Sequence, residues 1–235
     1  MIDPLAELAR VEGVPSALAA ARDAVDAVLR DRGMRTISSD QRGRALLAGA
    51  RANAALSEDP ALWSAGAVRL AGELVELART IRIAPAQALA RAHVVLARGI
   101  ISDDELGRVS GGAAVQERIG GLVDLLTGSQ TASAIVLGAI VHAEIATATP
   151  FGSASGLIAR AAEHLVLISS GVDPAAVIVV EAGHAENAAA YRAGLAGYRA
   201  GSVPGVRGWI VQCAAAVSRG AELSPVNPRA GTLTQ

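Results

Sequence analysis

Apolar residues recur every three or four positions along most of this chain, which is the spacing of one buried face on an α-helix. Short polar segments containing Gly or Pro separate these stretches and are typical of helix ends. Strands and helices do not alternate, so the pattern predicts an all-α fold. The ranges predicted to be helical are 15–32, 41–56, 60–83 (as one long or two short helices), 85–98, 115–126, 131–147, 156–168, a short one near 175–182, 184–200 and 204–220.

The same pattern divides the chain into three parts. Residues 1–37 are predicted to form an N-terminal helical lead-in, and residues 38–220 the main helical domain. Residues 221–235 contain two prolines and no periodic apolar pattern, which predicts a mobile C-terminal tail.

Composition narrows the classes of function. Hydrophobic residues make up 51% of the chain and aromatic residues only 2%, so the core must be built from Ala, Leu, Val and Ile. A net charge of -1 argues against nucleic-acid or membrane-surface partners. All 21 basic residues are Arg, which excludes a Walker-type phosphate loop and a Schiff-base lysine. No secretory signal pattern or uninterrupted membrane-spanning stretch is apparent, so we expect a cytoplasmic protein.

The residues that commonly bind metals do not form a recognisable site in the sequence. The acidic run at 103–105 consists of consecutive side chains on a turn, which point apart and are typical of a solvated helix start. Cys213 stands alone in an apolar run and is interpreted as a buried, inert thiol. No two histidines are spaced i, i+4, so no metal site is predicted. The four histidines are His93, His142, His164 and His184.

One loop stands out between two apolar helices. It places small residues, among them Gly152, Ser153 and Ser155, where a helix is about to begin. Free backbone N–H groups at a helix start can bind an anion. Arg160 follows one turn inside that helix and could reach back toward a phosphate, or it could pair with Glu163, Glu144 or another acid.

At this loop the sequence resembles the Fic (Fido) family, whose signature is H-P-F-x-[DE]-G-N-G-R-x-x-R. Residues 149–160 align with the signature without a gap, and Pro150, Phe151, Gly156 and Arg160 match it. Looser similarity extends the resemblance over residues 38–220. It involves residues 139–144 before the loop, His93 with Gly107-Arg108, and Tyr191, Leu195, Tyr198, Gly201 and Trp209-Ile210.

The resemblance implies a helical bundle with a β-hairpin flap beside the active site, here at most a vestigial short one. Family members typically transfer AMP from ATP to a target hydroxyl. Their motif histidine is the general base, the acidic residue holds Mg²⁺, and the glycines, asparagine and arginines bind the phosphates. The replacements in this chain are Thr149 for the histidine, Ser153 for the acid, Ala154 and Ser155 for Gly-Asn, and Leu157 for the first arginine. Loss of a general base alone costs about 10²–10⁴-fold in rate. Residues 151–156 with Arg160 would therefore be a vestigial nucleotide site.

Many family members also carry an inhibitory helix with the pattern S/T-x-x-x-E-G/N, whose Glu blocks the final motif arginine. Residues 51–58 resemble it in two registers. One register places Asn53 at the S/T position and Ser57 at the Glu position. The other keeps the acid as Glu58 but places Ala54 at the S/T position, about 100° around the helix.

Three functions follow as hypotheses. The first is a pseudoenzyme that acts through an unidentified protein partner or through self-association as a homodimer. The second is a nucleotide or phosphate sensor that uses the 150–156 loop and Arg160. The third is an enzyme of another class with His142 as base and a loop serine as its partner. No cofactor is predicted, apart from residual binding of a nucleotide or phosphate.

Overall fold

Side-chain caps fix where several of the helices begin. The structure, a computed structural model, describes residues 4–30, 37–128 and 131–227. The helices within these ranges are α1 (Pro4–Leu8), α2 (Val14–Arg30), α3 (Ser39–Ala55), α4 (Pro60–Thr80), α5 (Pro85–Ala97), α6 (Ala113–Thr127), α7 (Ala134–Ala148), α8 (Ser155–Ser169), α9 (Val180–Glu186), α10 (Ala188–Arg199) and α11 (Val203–Glu222). Ser38 and Gln41 form a reciprocal capping box at α3, and the Asp59 carboxylate caps α4.

The α7–α8 hairpin forms the centre of the bundle. α8 is buried almost throughout and contacts α3, α4, α5, α7 and α9, while α11 packs against α7, α9 and α10. Small residues allow the close approaches that such a core of short side chains needs. At Gly66 of α4, a Cβ atom would lie only 2.1 Å from the Leu96 carbonyl oxygen of α5. The predicted all-α fold is confirmed, and no sheet occurs among the described residues.

Contacts in the structure join the three predicted parts of the chain. α2 buries its apolar face against α11, so the N-terminal lead-in is packed onto the main helical body. α11 continues to Glu222, and beyond it Ser224 and Val226 are buried. Packing thus extends to residue 227, seven residues beyond the predicted domain end at 220. Residues 228–235 of the predicted tail, like residues 31–32 of the first predicted helix, lie outside the described residues.

The flap implied by the resemblance is not formed in the part of the chain that the structure describes. Residues 98–112 contain a single isolated bridge between Arg98 and Ile101 instead of a hairpin. Gly99, Gly107 and Gly111 adopt positive φ angles there, which turn the chain repeatedly and leave no two extended segments to pair. None of the described helices is both long enough and apolar enough to cross a bilayer.

His164 on α8 anchors the segment that leads into α9. Its Nδ1 lies 3.0 Å from Glu181 Oε1, and its Nε2 lies 3.2 Å from Asp173 Oδ2. The Asp173 carboxylate also accepts the N–H groups of Val177 (3.0 Å) and Ile178 (2.9 Å). These bonds hold residues 177–179 in a non-helical conformation. The helix predicted near 175–182 is therefore wrong in its start, since α9 begins only at Val180.

This anchor predicts a pH dependence of stability. Burial alone would lower the pKa of His164, but the charge of Glu181 and hydrogen bonds to both carboxylates raise it to about 10, from an ordinary 6.5. The imidazolium therefore contributes stability that is complete below pH 6.5 and is lost as the pH rises toward 10. Urea unfolding should show the free energy of unfolding falling between pH 7 and pH 10, and less steeply in H164Q. Equal slopes in the two proteins would contradict this assignment.

Candidate functional site

The loop between α7 and α8 is shaped by two residues in left-handed conformations. Thr149, at the end of α7, has φ 51°, and Gly152 has φ 53°. A β-branched residue rarely adopts this region, so Thr149 is a strained position at the turn. The chain then passes through a short 3₁₀ helix, Gly152–Ala154, into α8. Thr149, Gly152 and Ser153 are exposed, whereas Phe151 and Ser155 are buried.

The backbone amides of this loop are bonded within the loop itself. Phe151 N–H donates to Ser155 Oγ (2.9 Å), Gly152 N–H to the Thr149 carbonyl (3.2 Å), and Ala154 N–H to the Phe151 carbonyl (3.1 Å). Ser155 N–H donates to the Gly152 carbonyl. An anion would have to displace these bonds, so the free N–H groups expected at the start of α8 are not available at these four positions.

Arg160 is buried beneath the loop with 2% of its surface exposed. Its Nε donates to Asn53 Oδ1 (2.6 Å), its Nη2 to the Asn53 carbonyl (3.1 Å) and its Nη1 to Tyr191 Oη (2.9 Å). These partners replace the acids considered from the sequence, and Glu144 instead pairs with Arg118 at 2.8 Å. The guanidinium is thus bound by α3 and α10 and turned away from solvent.

Neither register of the inhibitory-helix resemblance brings its Glu-position residue, Ser57 or Glu58, onto Arg160 in the structure. Asn53 lies on α3, is buried, and also donates from Nδ2 to the Leu157 carbonyl (3.2 Å). Ser57 Oγ donates to the Ala54 carbonyl (2.6 Å), and Glu58 is exposed. In this chain α3 instead contacts the final motif arginine through Asn53, the residue that the first register places at the S/T position.

His142 is fully buried and does not meet a loop serine. Its Nδ1 lies 2.6 Å from Glu163 Oε2, and its Nε2 lies 3.0 Å from Tyr191 Oη. Burial lowers the pKa of His142 to about 4, although hydrogen bonding to Glu163 opposes the shift. Ser155, the buried serine of the loop, uses its hydroxyl to accept the Phe151 amide. The structure therefore does not support the hypothesis of an enzyme that pairs His142 with a loop serine.

A cleft of about 390 Å³ opens beside the loop, at the place where a flap was expected. Ser110 closes one end of it, because its N–H and Oγ both donate to the Pro150 carbonyl, at 2.8 and 3.0 Å. This contact fixes the 98–112 segment against the motif loop. The cleft is lined by His93, Ile101, Asp104, Glu105, Arg108, Val109, Ser110, Phe151, Gly152 and Ser153.

His93 is the residue of this cleft whose role the sequence analysis did not recognise. Its Nδ1 accepts the Gly107 N–H (3.2 Å), and its ring lies 4.7 Å from that of Phe151. Burial lowers the pKa of His93, although the charge of Glu105 opposes the shift, so the ring is neutral and carries its proton on Nε2. That Nε2 is buried and has no hydrogen-bond partner in the described part of the chain.

A larger depression of about 580 Å³ lies at the opposite end of the α7–α8 hairpin. Its charged side chains are Arg22 and Arg82, and Arg82 already donates to the Gly128 carbonyl (3.3 Å). It brings no acid and base together, whereas the smaller cleft combines a buried histidine, two carboxylates and an arginine. The cleft beside the loop is therefore the better candidate for a binding site.

Comparison with known proteins identifies the fold. No protein-family model and no curated protein matches the sequence. The structure does match a crystal structure of a Fic family protein from Desulfovibrio desulfuricans G20 at 2.70 Å resolution, with a TM-score of 0.69. The match covers 89% of this chain and 74% of the other, at 16% sequence identity, a level at which likeness shows the fold alone. The chain has an all-helical, Fic-like fold.

Proposed function

We propose that this chain is a Fic-fold protein that does not transfer AMP and acts by non-covalent binding of a protein partner or a second copy of itself. The observation that carries the proposal is that the Arg160 side chain is buried and hydrogen-bonded within the fold. Arg160 is the charged motif residue that this sequence retains, and Asn53 and Tyr191 take up its donors in a buried network. A phosphate in the loop would therefore not find the guanidinium of Arg160 free.

The exposed positions of the motif support the same conclusion. Thr149 occupies the position of the general base, and a hydroxyl does not accept a proton at neutral pH. Ser153 occupies the position of the metal-binding acid, where a neutral hydroxyl is a poor ligand for Mg²⁺. The other residues of the 149–156 loop are Pro, Phe, Gly, Ala and Ser, so the loop itself contains no second base or carboxylate.

The cleft beside the loop supports a binding function that involves no catalysis. It remains open although the motif groups are replaced, and charged side chains of both signs line it at Glu105 and Arg108. A polypeptide segment could use such a mixed surface. Light scattering on the purified chain distinguishes a second copy from a different partner.

Incubation with labelled ATP, Mg²⁺ and a cell lysate tests the proposal. We expect no transfer of label to the chain or to any lysate protein above a no-protein control. S153A and E58A serve as matched variants, because both replace exposed side chains and should leave the fold unchanged. Label transfer that S153A abolishes and E58A preserves would overturn the proposal.

The nucleotide-sensor alternative is tested by equilibrium dialysis of the chain against the same labelled ATP. The internally bonded amides of the loop and the buried Arg160 weigh against binding. We expect no retention of label at millimolar ATP. Retention without transfer would favour the sensor over the partner-binding protein.

A further inference from the structure

Four helices of the core each bring one metal-ligating side chain to a common point. His142 lies on α7, Glu163 on α8, His184 on α9 and Cys213 on α11. All four are fully buried. One ligand atom of each lies within 4.8 Å of the ligand atoms of the other three. This group, the core cluster, is separate from the cleft beside the motif loop.

Hydrogen bonds within the core cluster leave two polar atoms without partners. Glu163 Oε2 accepts from both imidazoles, at 2.6 Å from His142 Nδ1 and 2.8 Å from His184 Nε2. Glu163 Oε1 and His184 Nδ1 are buried and have no hydrogen-bond partner among the described residues. Buried polar atoms are almost always satisfied, and an ion is one of the few explanations for those that are not.

The donor types of the core cluster match one class of metal. Two imidazoles, one thiol and one carboxylate form the mixed N, S and O set that Zn²⁺ binds tetrahedrally, and four protein ligands are typical of a closed structural site. Ca²⁺ and Mg²⁺ prefer oxygen ligands alone. One thiolate and one carboxylate would also neutralise a divalent ion, so the core cluster together with its ion would carry no net charge.

The surroundings of the core cluster would support a bound ion. Tyr191 Oη lies 3.0 Å from His142 Nε2 and accepts from Arg160 Nη1. With a metal on Nδ1, the His142 proton moves to Nε2 and can be donated to Tyr191 Oη, which fixes the ring as outer-shell partners do at zinc sites. Trp209 covers the cluster, with its ring 4.9 Å from that of His142 and stacked on that of His184.

We propose that His142, Glu163, His184 and Cys213 form a structural site for a thiophilic divalent ion of the Zn²⁺ type, which ties α7, α8, α9 and α11 together. On binding, Cys213 coordinates as the thiolate and its proton leaves to solvent. The proposal does not depend on the partner-binding function, since none of the four ligands lines the cleft beside the loop.

Refolding of the full chain from urea with Co²⁺ tests the site, because Co²⁺ reports a tetrahedral thiolate environment by its absorption. We expect about one bound Co²⁺ per chain, visible ligand-field bands and a thiolate-to-cobalt charge-transfer band. The charge-transfer band should be lost in C213S. H93Q is the matched control, because it removes another buried histidine with an unpartnered nitrogen outside the core cluster and should keep the bands.

A second measurement covers the case in which C213S fails to fold. The wild-type chain is treated with a chelator and refolded without metal, with Zn²⁺ or with Mg²⁺. Its melting temperature should be higher with stoichiometric Zn²⁺ than without metal, and Mg²⁺ should not raise it. Absence of Co²⁺ bands in folded wild-type chain, persistence of the charge-transfer band in folded C213S, or equal melting temperatures with Zn²⁺ and Mg²⁺ would each overturn the proposal.

Discussion

Replacing Arg160 with alanine should lower the free energy of unfolding by about 3 kcal/mol or more, which is the usual scale for a large buried truncation that also orphans hydrogen-bond partners. The guanidinium is 2% exposed and donates to Asn53 Oδ1, the Asn53 carbonyl and Tyr191 Oη. Its removal leaves a cavity where α3, α8 and α10 meet and leaves those acceptors unpaired. Urea unfolding of R160A measures the loss.

The matched control is R192A, because Arg192 lies on α10 one residue after Tyr191 and is exposed. Exposed substitutions of this kind usually change stability by less than about 0.5 kcal/mol. If R160A unfolded like R192A, and if the wild-type chain bound ATP while R160A did not, Arg160 would be a phosphate ligand and the structural role assigned to it would be wrong.

Gly183→Ala should lower the free energy of unfolding by about 1–3 kcal/mol or more, because the added methyl group overpacks a tight contact. A Cβ at Gly183 would lie 2.0 Å from the Ala216 carbonyl oxygen, so α9 and α11 would have to separate. The clashing oxygen belongs to the backbone of α11, which cannot move aside as the end of a flexible side chain could. Since His184 is the next residue, separation would also pull its ring away from Glu163.

Gly120→Ala should have the opposite effect on the stability of the chain. Gly120 is an exposed residue within α6, and a Cβ there would meet no atom within 4 Å. We expect it to stabilise the chain by about 0.4–1 kcal/mol, because alanine reduces the freedom of the unfolded chain and favours the helix. Thermal melts of the two variants should shift in opposite directions. A destabilisation in G183A no greater than about 0.5 kcal/mol would show that the α9–α11 contact is looser than the structure describes.

Local chemistry explains why so many helices were predictable. Ser38 with Gln41 and Asp59 with Pro60 mark the starts of α3 and α4, because their side chains bond only to backbone groups a few residues away. The segment before α9 was misassigned for the opposite reason. Val177 and Ile178 give their N–H groups to Asp173, which is itself held by His164 on another helix.

The position of the candidate site was predictable from the sequence, but its hydrogen bonding was not. The loop lies between α7 and α8 where the resemblance placed it, and its replaced residues can be read from the sequence alone. The sequence could not show that the loop amides bond to one another or that Arg160 is turned inward. It also could not show that α3 binds Arg160 through Asn53, because the two registers of the resemblance place Ser57 or Glu58 at the Glu position.

The sequence by itself determined the helical class, most helix limits and the replacement of the motif residues, because periodicity, capping and residue identity are local properties. Only the tertiary structure decided how His142, Glu163, His184 and Cys213 come together. A search for histidines at i, i+4 misses them because each lies on a different helix. Their juxtaposition depends on how α7, α8, α9 and α11 pack, and that packing rests on close backbone contacts such as the one at Gly183.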